Sequence, residues 1–296
     1  MPRPPTHRLR IAHLLPFPGV GGTEHATLRL IRALAKRGVA AVAFCLAEAA
    51  EVQRLFSAAA VPVLPYRPRP VHRGRRELWP AALRFAAQFL AHRIDVVHCA
   101  EVSAVLPEVA TAARWLRRPL VCHVRNRVER VPGCVGDALQ HVAQFVFISR
   151  HTRRSFGFAV ADDRTAVMPE GLAAVDVDAA VRRRCRLDVR QELGLAPTAT
   201  VLTMVARLEP QKDFATLVRA AARLVHEGHD VHVVLVGGFD RTPAQREHFP
   251  AVRALVAAAG RGSRVHFAGY RTDVPRWLLA SDLVVLSTHW EGMPLS

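Results

Sequence analysis

The sequence has little of what several protein classes require. No apolar run approaches the roughly 18 residues of a membrane-spanning helix, and the apolar stretch at residues 11–15 is too short for the core of a signal peptide. The chain has only two tyrosines for stacking on bases, and it has no RNP-like or helix-turn-helix pattern. We therefore expect a cytoplasmic protein, soluble or peripheral at the inner face of a membrane, with no specific nucleic-acid partner.

Cysteine usage and missing catalytic signatures narrow the chemistry further. The five cysteines are widely spaced and mostly lie in apolar stretches, so we interpret them as reduced core thiols. The chain contains no HExxH motif, no acidic triad, no GxSxG motif and no Walker lysine loop. We therefore predict no metal site, no bound cofactor, and neither serine-hydrolase nor P-loop chemistry.

Positive charge is concentrated in the first part of the chain. Residues 1–172 hold 25 Lys+Arg and 12 Asp+Glu, a net charge of +13, whereas residues 173–296 hold 16 and 13, a net charge of +3. One interpretation is an anionic partner, such as acidic lipid headgroups, a phosphorylated acceptor or nucleic acid. The other is that the arginines only cover a solvated surface. For lipid, we expect association led by Arg67, Arg69, Arg73, Arg75 and Arg76, beside the helix that carries Leu78, Trp79, Phe85 and Phe89. If that helix only packs within the domain, the loop cations alone matter.

Apolar runs alternate with amphipathic stretches, which is the pattern of βα units in a parallel sheet. Two series of strands are predicted, at residues 11–15, 42–46, 96–98, 120–123 and 145–148, and at 201–205, 231–236, 265–267 and a buried strand at 283–286. Helices are predicted between the strands of the first series, among them 24–37 (capped by Thr23 and ended by Gly38) and 78–92, and in the second series at 213–227, 243–259 and 274–279. The two series predict an α/β protein with two doubly wound domains facing a cleft, residues 1–172 and 173–296, hinged at 168–173.

Two segments at predicted strand ends carry groups suited to a phosphorylated ligand. Gly21 and Gly22 lie in the turn after the first strand, where glycine lets the backbone approach a ligand, although Glu24 replaces the third glycine of a dinucleotide fingerprint. Arg207 and Lys212 follow a predicted buried strand and precede a helix. Both cations can therefore converge on an anion at the carboxyl edge of that strand. The alternative is a solvated loop with a lysine at a helix start.

The last residues, Glu291 to Ser296, follow the strand predicted at 283–286. Gly292 and Pro294 allow a sharp turn, so we expect the next amides to open a helix whose N-terminus binds an anion. The carboxylate of Glu291 can accept hydrogen bonds from sugar hydroxyls at that edge of the sheet.

Histidines end two neighbouring strands. His123 ends the strand at 120–123, at the carboxyl edge where open sheets bind ligands. His98 ends the strand at 96–98 and can share that edge. The alternative is that each is a structural histidine beside an apolar strand. Ser149, after the next strand, is expected to cap a helix.

Several of these segments, in this order, resemble glycosyltransferase family 4, which comprises retaining nucleotide-sugar transferases with two Rossmann-like domains. The segment GGTEHATLRLIRALAKRG resembles the family's glycine loop and first helix, ARLEPQKDFATLVRA its donor-diphosphate motif, and THWEGMPLS the start of its glutamate-pair motif. The resemblance covers Arg10 to Ser296. It implies the GT-B fold, with an acceptor-side domain at 1–172 and a nucleotide-sugar-binding domain at 173–296.

The resemblance also implies an activity and residue roles. A hexosyl unit would pass from a nucleotide-diphosphate sugar, the co-substrate, to an unknown acceptor (a glycan, a lipid-linked or a small molecule), generally without a metal. Arg207 and Lys212 would hold the diphosphate. Glu291 would orient the donor sugar, and His123 would contact the reacting sugar or the acceptor. Other residues implied in donor binding are Gly21, Gly22, Gly237, Gly238, Tyr270 (against the base, or else only packed on the next helix), Gly292, Met293, Pro294 and Leu295.

The family's second glutamate comes eight positions after the first, which would place it three residues past Ser296. The resemblance therefore implies an incomplete second domain, in which the strand at 283–286 is poorly covered. We expect weak donor binding, negligible turnover and reduced stability from a chain with this end. The alternatives to an active transferase are an inactive fragment or nucleotide- or anion-binding protein of the same fold, and a nucleic-acid-binding protein.

Overall fold

The structure, a computed structural model, describes residues 8–69, 78–131, 133–172, 176–239, 243–259 and 264–293. By its contacts the chain divides into two compact units, Met1–Gly171 with the segment that begins at Gly292, and Leu172–Glu291. Each unit is a series of βα repeats built on a parallel sheet. The roles predicted for the two parts stay predictions.

The first unit contains a seven-stranded sheet. Its strands are β1 (Arg10–Leu15), β2 (Ala40–Leu46), β3 (Val63–Tyr66), β4 (Val96–Cys99), β5 (Leu120–Val124), β6 (Gln144–Phe147) and β7 (Thr165–Val167), and its helices are α1 (Gly22–Ala35), α2 (Ala50–Ala58), α3 (Leu78–Ala91), α4 (Pro107–Trp115), α5 (Gly133–Leu139) and α6 (Arg150–Arg154). The strands are parallel, in the order β3-β2-β1-β4-β5-β6-β7. This is the strand order of dinucleotide-binding sheets with one strand added, and it reverses between β1 and β4.

The second unit repeats this arrangement with fewer strands. It consists of α7 (Ala179–Glu192), β8 (Thr200–Val205), α8 (Phe214–His226), β9 (Val231–Val236), α9 (Pro243–Ala258), β10 (Val265–Gly269), α10 (Val274–Ala280) and β11 (Leu283–Val284). The parallel order β10-β9-β8-β11 reverses between β8 and β11. The predicted fold class, α/β with two doubly wound Rossmann-like sheets, is confirmed.

Helix α1 begins earlier than predicted. Its N-cap is Gly21, whose backbone is extended (φ −148°, ψ −160°), and Glu24 Oε2 accepts a hydrogen bond from the Gly21 amide at 2.9 Å. The prediction that Thr23 caps the helix is wrong, because Thr23 lies inside the first turn and the Glu24 carboxylate satisfies the cap amide. Gly38 has φ +80° and its amide donates to the Ala35 carbonyl (3.0 Å), so Gly38 turns the chain out of the helix as predicted.

Three elements were not predicted from the sequence. Strand β3 contains Pro65 and lies at one edge of its sheet, and β7, only three residues long, lies at the other. Helix α7 runs through the basic segment that includes Arg182, where only Val189 and Arg190 are buried. In all three the apolar period is too short or too weak to stand out from a loop.

The strand predicted as buried at residues 283–286 is a two-residue edge strand. Leu283 is 58% exposed and Val284 is 43% exposed. The prediction of a buried strand is wrong, and the expectation that this strand is poorly covered is borne out, because in the described sheet β11 pairs only with β8. Val285 and Leu286, which follow it, are partly buried against the core of the unit.

Helix α3 buries one apolar face in the first core. Phe85 and Phe89 are 5% and 1% exposed, and their ring centroids lie 6.1 and 5.7 Å from that of Phe44. For these two phenylalanines the structure therefore shows the alternative, in which this face of the helix packs within the domain. Arg69 Nε lies 3.8 Å from Glu108 Oε2 in a mostly buried ion pair. The other loop arginines predicted for this role, Arg73, Arg75 and Arg76, lie outside the described residues.

Cys45, Cys99 and Cys122 are buried free thiols, and Cys185 is a half-buried one. Burial raises the pKa of the Cys45 thiol to about 12 and also raises the pKa of Cys99 and Cys122. These three are therefore protonated core thiols, as predicted. Cys134 lies outside the described side chains. Among the described residues, no helix combines the length and the apolar character needed to cross a bilayer.

Candidate functional site

The loops that leave β8 and β11, where the second sheet reverses its order, are bonded to each other. The 3₁₀ turn Pro210–Lys212 follows β8. Gln211 Nε2 donates to the Trp290 carbonyl (2.8 Å), while the Gln211 carbonyl accepts from the His289 amide (2.9 Å) and from Thr288 Oγ1 (3.0 Å). Ligands of open α/β sheets bind at the carboxyl edge at such a reversal. The two loops therefore form one fixed structure at the position expected for a ligand.

Asp213 sets the path of the chain from this turn into α8. Its backbone is left-handed (φ 45°, ψ 55°), a region that aspartate tolerates better than most residues. Its Oδ1 accepts from the Thr216 amide (3.2 Å) and caps α8, and hydrogen bonding to the side chain and then to the amide of Thr216 lowers the pKa of the Asp213 carboxyl. The Asp213 carbonyl accepts from Ser287 Oγ (2.8 Å). The cap and the Ser287 bond fix the turn from both sides.

Lys212 and Glu291 form an ion pair where the two loops meet. Lys212 Nζ contacts Glu291 Oε1, and the two side chains are 13% and 20% exposed. The fold thus brings together a cation and a carboxylate that the sequence analysis assigned to one site. The ammonium group can bind a phosphate, and the carboxylate can accept hydrogen bonds from sugar hydroxyls. A sugar phosphate can therefore break the ion pair and contact both side chains. The roles of both residues stay predictions.

Arg207 lies on the same loop but has a different partner. Its Nη1 is 3.1 Å from Glu209 Oε1, and its side chain is 62% exposed. Each of the two predicted diphosphate ligands is therefore paired with its own carboxylate, and their convergence on one anion stays a prediction. An exposed guanidinium can turn towards a ligand without losing buried contacts.

Gly237 keeps the ends of neighbouring strands close together. Its amide donates to the Gly269 carbonyl (2.8 Å), and a Cβ at Gly237 would lie 1.9 Å from the Ala206 carbonyl oxygen. The Gly238 carbonyl accepts from the Leu208 amide (3.2 Å). The two glycines therefore fasten the start of the Arg207 loop to the ends of β9 and β10, which is a structural role in addition to the predicted contact with donor.

Tyr270 follows β10 and is 60% exposed. Most of the ring is therefore not buried against α10, which disfavours the interpretation that Tyr270 only packs on that helix. Arg271 occupies that position instead, since its guanidinium lies 4.7 Å from the ring centroid of Trp277 and pairs with Glu192. Contact of Tyr270 with a base stays a prediction.

An open groove lies beside the same turn, between α8 and α9. Its volume is about 390 Å³, and its lining includes Phe214, Arg219, His248 and His289. Of the described residues that line it, none belongs to the predicted donor site. The groove is therefore a separate feature of the second unit.

Three histidines lie side by side across the first sheet, beginning where its order reverses. His13 on β1 and His98 on β4 are in register, and their Nδ1 atoms are 2.9 Å apart. The ring centroids of His98 and His123, on β5, are 5.7 Å apart. The three residues are 1%, 5% and 7% exposed. In the bonded pair one imidazole donates and the other accepts, which fixes opposite tautomers for His13 and His98 if both rings are neutral.

Arg125 extends this row of histidines towards Glu170. Its Nε donates to Glu170 Oε1 (2.6 Å), and its Nη1 donates to the carbonyl of Ala100. His123 Nε2 lies 3.9 Å from the same Glu170 oxygen. A buried guanidinium, a carboxylate and an imidazole thus meet at the carboxyl end of β5, where the sequence analysis placed His123.

Burial keeps the three histidines neutral. Burial, followed by the charge of Arg125, lowers the pKa of His13 and of His123 to about 3, and burial lowers the pKa of His98 as well. At neutral pH these imidazoles can therefore donate and accept hydrogen bonds but carry no charge. Within the described residues, no group of three or more His, Cys, Asp or Glu side chains is placed to hold a metal ion.

The glycine turn presents the N-terminus of α1 at the carboxyl end of β1. Gly21 is the N-cap and Gly22, the first helical residue, is exposed. The first amides of a helix suit an anion, but the Gly21 amide is already bonded to Glu24, a residue only 1% exposed. Any phosphate bound here must therefore use amides other than that of Gly21.

The last described residues pack on the first unit. A Cβ at Gly292 would lie 1.9 Å from the Arg125 carbonyl oxygen, so only glycine fits there. Met293 Sδ accepts from the Glu170 amide (3.3 Å). Two predicted donor residues, Pro294 and Leu295, and the helix expected to open there lie outside the described residues.

Family comparisons identify the chain. The profile described as "Glycosyltransferase Family 4" matches residues 20–174, and the profile described as "Glycosyl transferases group 1" matches residues 186–296. The chain belongs to glycosyltransferase family 4. The resemblance inferred from the three quoted segments is confirmed.

Curated relatives match this family 4 chain at moderate identity. A D-inositol 3-phosphate glycosyltransferase of Nocardia farcinica is 30% identical over 210 residues, 69% of this chain and 43% of the relative. A UDP-Gal:alpha-D-GlcNAc-diphosphoundecaprenol alpha-1,3-galactosyltransferase of Escherichia coli is 31% identical over 136 residues, 45% of this chain and 33% of the relative. The lipopolysaccharide core mannosyltransferase LpsB of Rhizobium meliloti is 26% identical over 60% of this chain and 54% of the relative. The chain thus spans about a third to a half of the length of these relatives.

Solved structures match the chain over nearly its whole length. Anabaena Alr3699/HepE, in complex with UDP and glucose, has a TM-score of 0.75 at 22% identity, covering 95% of this chain and 74% of that one. Sucrose-phosphate synthase from Thermosynechococcus elongatus has a TM-score of 0.69 at 17% identity, covering 97% and 77%. At these identities the likeness shows a common fold.

Sequence reasoning missed several groups that shape the two sites of this family 4 chain. The turn that carries Lys212 is held by Glu209, Gln211 and Asp213. These residues could have been found from the sequence, because they are polar and come soon after a predicted buried strand. Glu170 gives no local signal, because its partner Arg125 is 45 residues away.

The buried histidines predict that acid destabilises the first unit. In the folded chain the pKa of His13 and of His123 is about 3, below the ordinary 6.5. Their contribution to stability is therefore fully present above pH 6.5 and is lost as the pH falls towards 3. At about pH 5 each of these two histidines lowers the free energy of unfolding by up to about 2 kcal/mol relative to its value above pH 6.5. Urea unfolding at about pH 7.5 and about pH 5 measures the loss.

Two variants separate this effect from general acid sensitivity. His123→Leu removes one titrating imidazole, so the variant should take up to one proton fewer on unfolding. Its free energy of unfolding should therefore depend less steeply on pH. His151→Gln, on the exposed side of α6, should leave the dependence unchanged. Equal wild-type stability at both pH values would show that the histidines are not held neutral by the fold.

Proposed function

We propose that the protein transfers a hexosyl unit from a nucleotide-diphosphate sugar to an acceptor, with retention of configuration. The observation that carries this proposal is the Lys212–Glu291 pair. The pair lies at the carboxyl edge of β8, where the strand order reverses, and this position supports assigning the cation to the diphosphate and the carboxylate to the sugar. Family membership supports the same activity.

In the proposed reaction the bond between the sugar C1 and the diphosphate oxygen breaks, and a bond from C1 to the acceptor oxygen forms on the same face. The acceptor proton passes to the departing phosphate, so the residues need not supply a base. Lys212 and Arg207 stabilise the charge that develops on the leaving diphosphate. Glu291 accepts hydrogen bonds from the sugar, and His123, neutral in the fold, contacts the sugar or the acceptor through a hydrogen bond.

The named relatives support the donor class more than any one acceptor. One is named for UDP-Gal and GlcNAc-diphosphoundecaprenol, one for inositol 3-phosphate, and one as a mannosyltransferase of lipopolysaccharide core biosynthesis. Two of these names specify a hexose. Solved structures of similar fold are complexes with UDP and glucose and with UDP-glucose. A nucleotide-sugar donor is the feature we carry to this chain, and the acceptor class is left to experiment.

Nucleotide binding provides the direct test. Among UDP, GDP and ADP, we expect one to raise the melting temperature of the chain, because a ligand at about a hundred times its Kd stabilises by about 2.7 kcal/mol. With the matching nucleotide sugar as donor, NMR should then show that the product has the same anomeric configuration as the donor. Transfer with inversion would contradict retention, and no transfer to any acceptor in a panel by an intact enzyme that binds the nucleotide would contradict the transfer itself. No shift with any of the three would contradict the donor site itself.

A further inference from the structure

Helix α3 exposes a row of large apolar side chains on the face opposite its buried phenylalanines. Trp79, Leu83 and Leu90 are 56%, 60% and 57% exposed. At 3.6 residues per turn they lie within about 40° of one another around the helix. Apolar side chains exposed singly are common, but a continuous stripe of them on a helix is a feature of interaction surfaces.

Trp115, the last residue of α4, extends this row. It is 40% exposed, and its ring is stacked on that of Trp79 with centroids 5.4 Å apart and an angle of 17° between the planes. We name the four side chains the Trp79–Trp115 surface: Trp79, Leu83, Leu90 and Trp115.

Arginines surround the Trp79–Trp115 surface, and acidic residues are missing from it. Arg84, Arg93, Arg114 and Arg117 are exposed on or directly after the same two helices. In the described part of the chain their side chains make no ion pair or hydrogen bond, unlike the partly buried Arg69. The sequence has no aspartate or glutamate at residues 78–94 or 109–128, and the acidic residues that directly flank these two stretches are Glu77, Asp95, Glu108 and Glu129. Within the described residues, the surface therefore combines exposed indoles with arginines that have no ion-pair partner.

We propose that the Trp79–Trp115 surface docks on an anionic lipid bilayer. Tryptophan suits the boundary between headgroups and acyl chains, because its ring is apolar and its N–H is polar. Flanking arginines suit anionic headgroups, whose surface potential attracts cations close to the membrane. Interfacial helices bind by this combination of an apolar stripe and basic residues. The net charge of +13 on residues 1–172 adds long-range attraction to the same partner.

Vesicle flotation tests the proposal. The wild-type chain should float with vesicles of phosphatidylcholine and phosphatidylglycerol, and weakly or not with phosphatidylcholine alone. The double variant Trp79→Ala, Trp115→Ala should bind the anionic vesicles at least about tenfold more weakly. The triple variant Arg84→Gln, Arg114→Gln, Arg117→Gln should lose a similar factor at low salt and less at high salt, where charges are screened.

Matched controls separate this surface from general charge and from misfolding. Arg154→Gln, Arg182→Gln, Arg183→Gln removes the same charge elsewhere and should change binding less than about twofold. Leu187→Ala, an exposed leucine on α7, should have no effect. Equal losses in the two triple variants would overturn the proposal in favour of charge alone, provided that all variants melt like wild type. Concentration-dependent dimers that the tryptophan variant abolishes, without vesicle binding, would assign the surface to a second copy of the chain.

Discussion

In an intact enzyme, donor turnover by a Lys212→Ala variant is expected to fall by on the order of a hundredfold or more. Lys212 is only 13% exposed and lies against Glu291 on a turn that is bonded from both sides, so its ammonium is held in place before any ligand arrives. Such preorganised charge is worth most where charge develops in the transition state. Nucleoside-diphosphate binding, measured by calorimetry or thermal shift, should weaken as well.

Two variants give this prediction its controls. Arg223→Ala removes a cation from the neighbouring helix α8, where Arg223 Nε lies 2.9 Å from Glu227 Oε1 in an exposed pair, and it should leave turnover and binding near wild type. Lys212→Arg keeps the charge and should retain part of the binding. If Lys212→Ala and Arg207→Ala both retained near wild-type turnover and binding, the assignment of these two residues to the diphosphate would be wrong.

The strands that position this site were readable from the sequence because each is a continuous apolar run. VLTMV and VHVVLV predicted β8 and β9 within one residue, since strands of a parallel sheet are covered on both faces. Helix α7 was not readable. Its buried Arg190 donates to the carbonyls of Ala199 and Ala280 and pairs with Asp282, 92 residues away. No local pattern shows that a basic residue has such partners.

The same limit applies to the sites. Lys212 and Glu291 could be assigned to one site through the family resemblance, but their direct pairing depends on how Gln211 and Asp213 fold the turn. His123 and His98 could be placed at one sheet edge because each ends a predicted strand. His13 could not, because it lies inside an apolar run and becomes a partner of His98 only through the β1–β4 register.

Gly237→Ala is expected to destabilise the second unit by about 3 kcal/mol or more, above the range usual for an overpacked core site. The added Cβ would lie 1.9 Å from the carbonyl oxygen of Ala206 and 2.8 Å from its carbonyl carbon, which are backbone atoms and cannot rotate away. Neither strand can move alone, because the Gly237 amide is bonded to Gly269 and the Ala206 amide is bonded to Val236. Relief requires β8 and β9 to separate where the Arg207 loop begins.

Urea unfolding and amide exchange of β8 and β9 would measure this effect, with nucleotide binding as the functional readout. Faster exchange in these strands and weaker binding should occur together, since the clash lies directly before Arg207. Gly136→Ala in α5 is the matched control: nothing lies within 4 Å of its added Cβ, and alanine in a helix should stabilise by about 0.4–1 kcal/mol. Wild-type stability of Gly237→Ala would mean that the β8 and β9 ends are further apart than the structure shows. The position of the Arg207 loop, and with it the geometry of the proposed donor site, would then have to be revised.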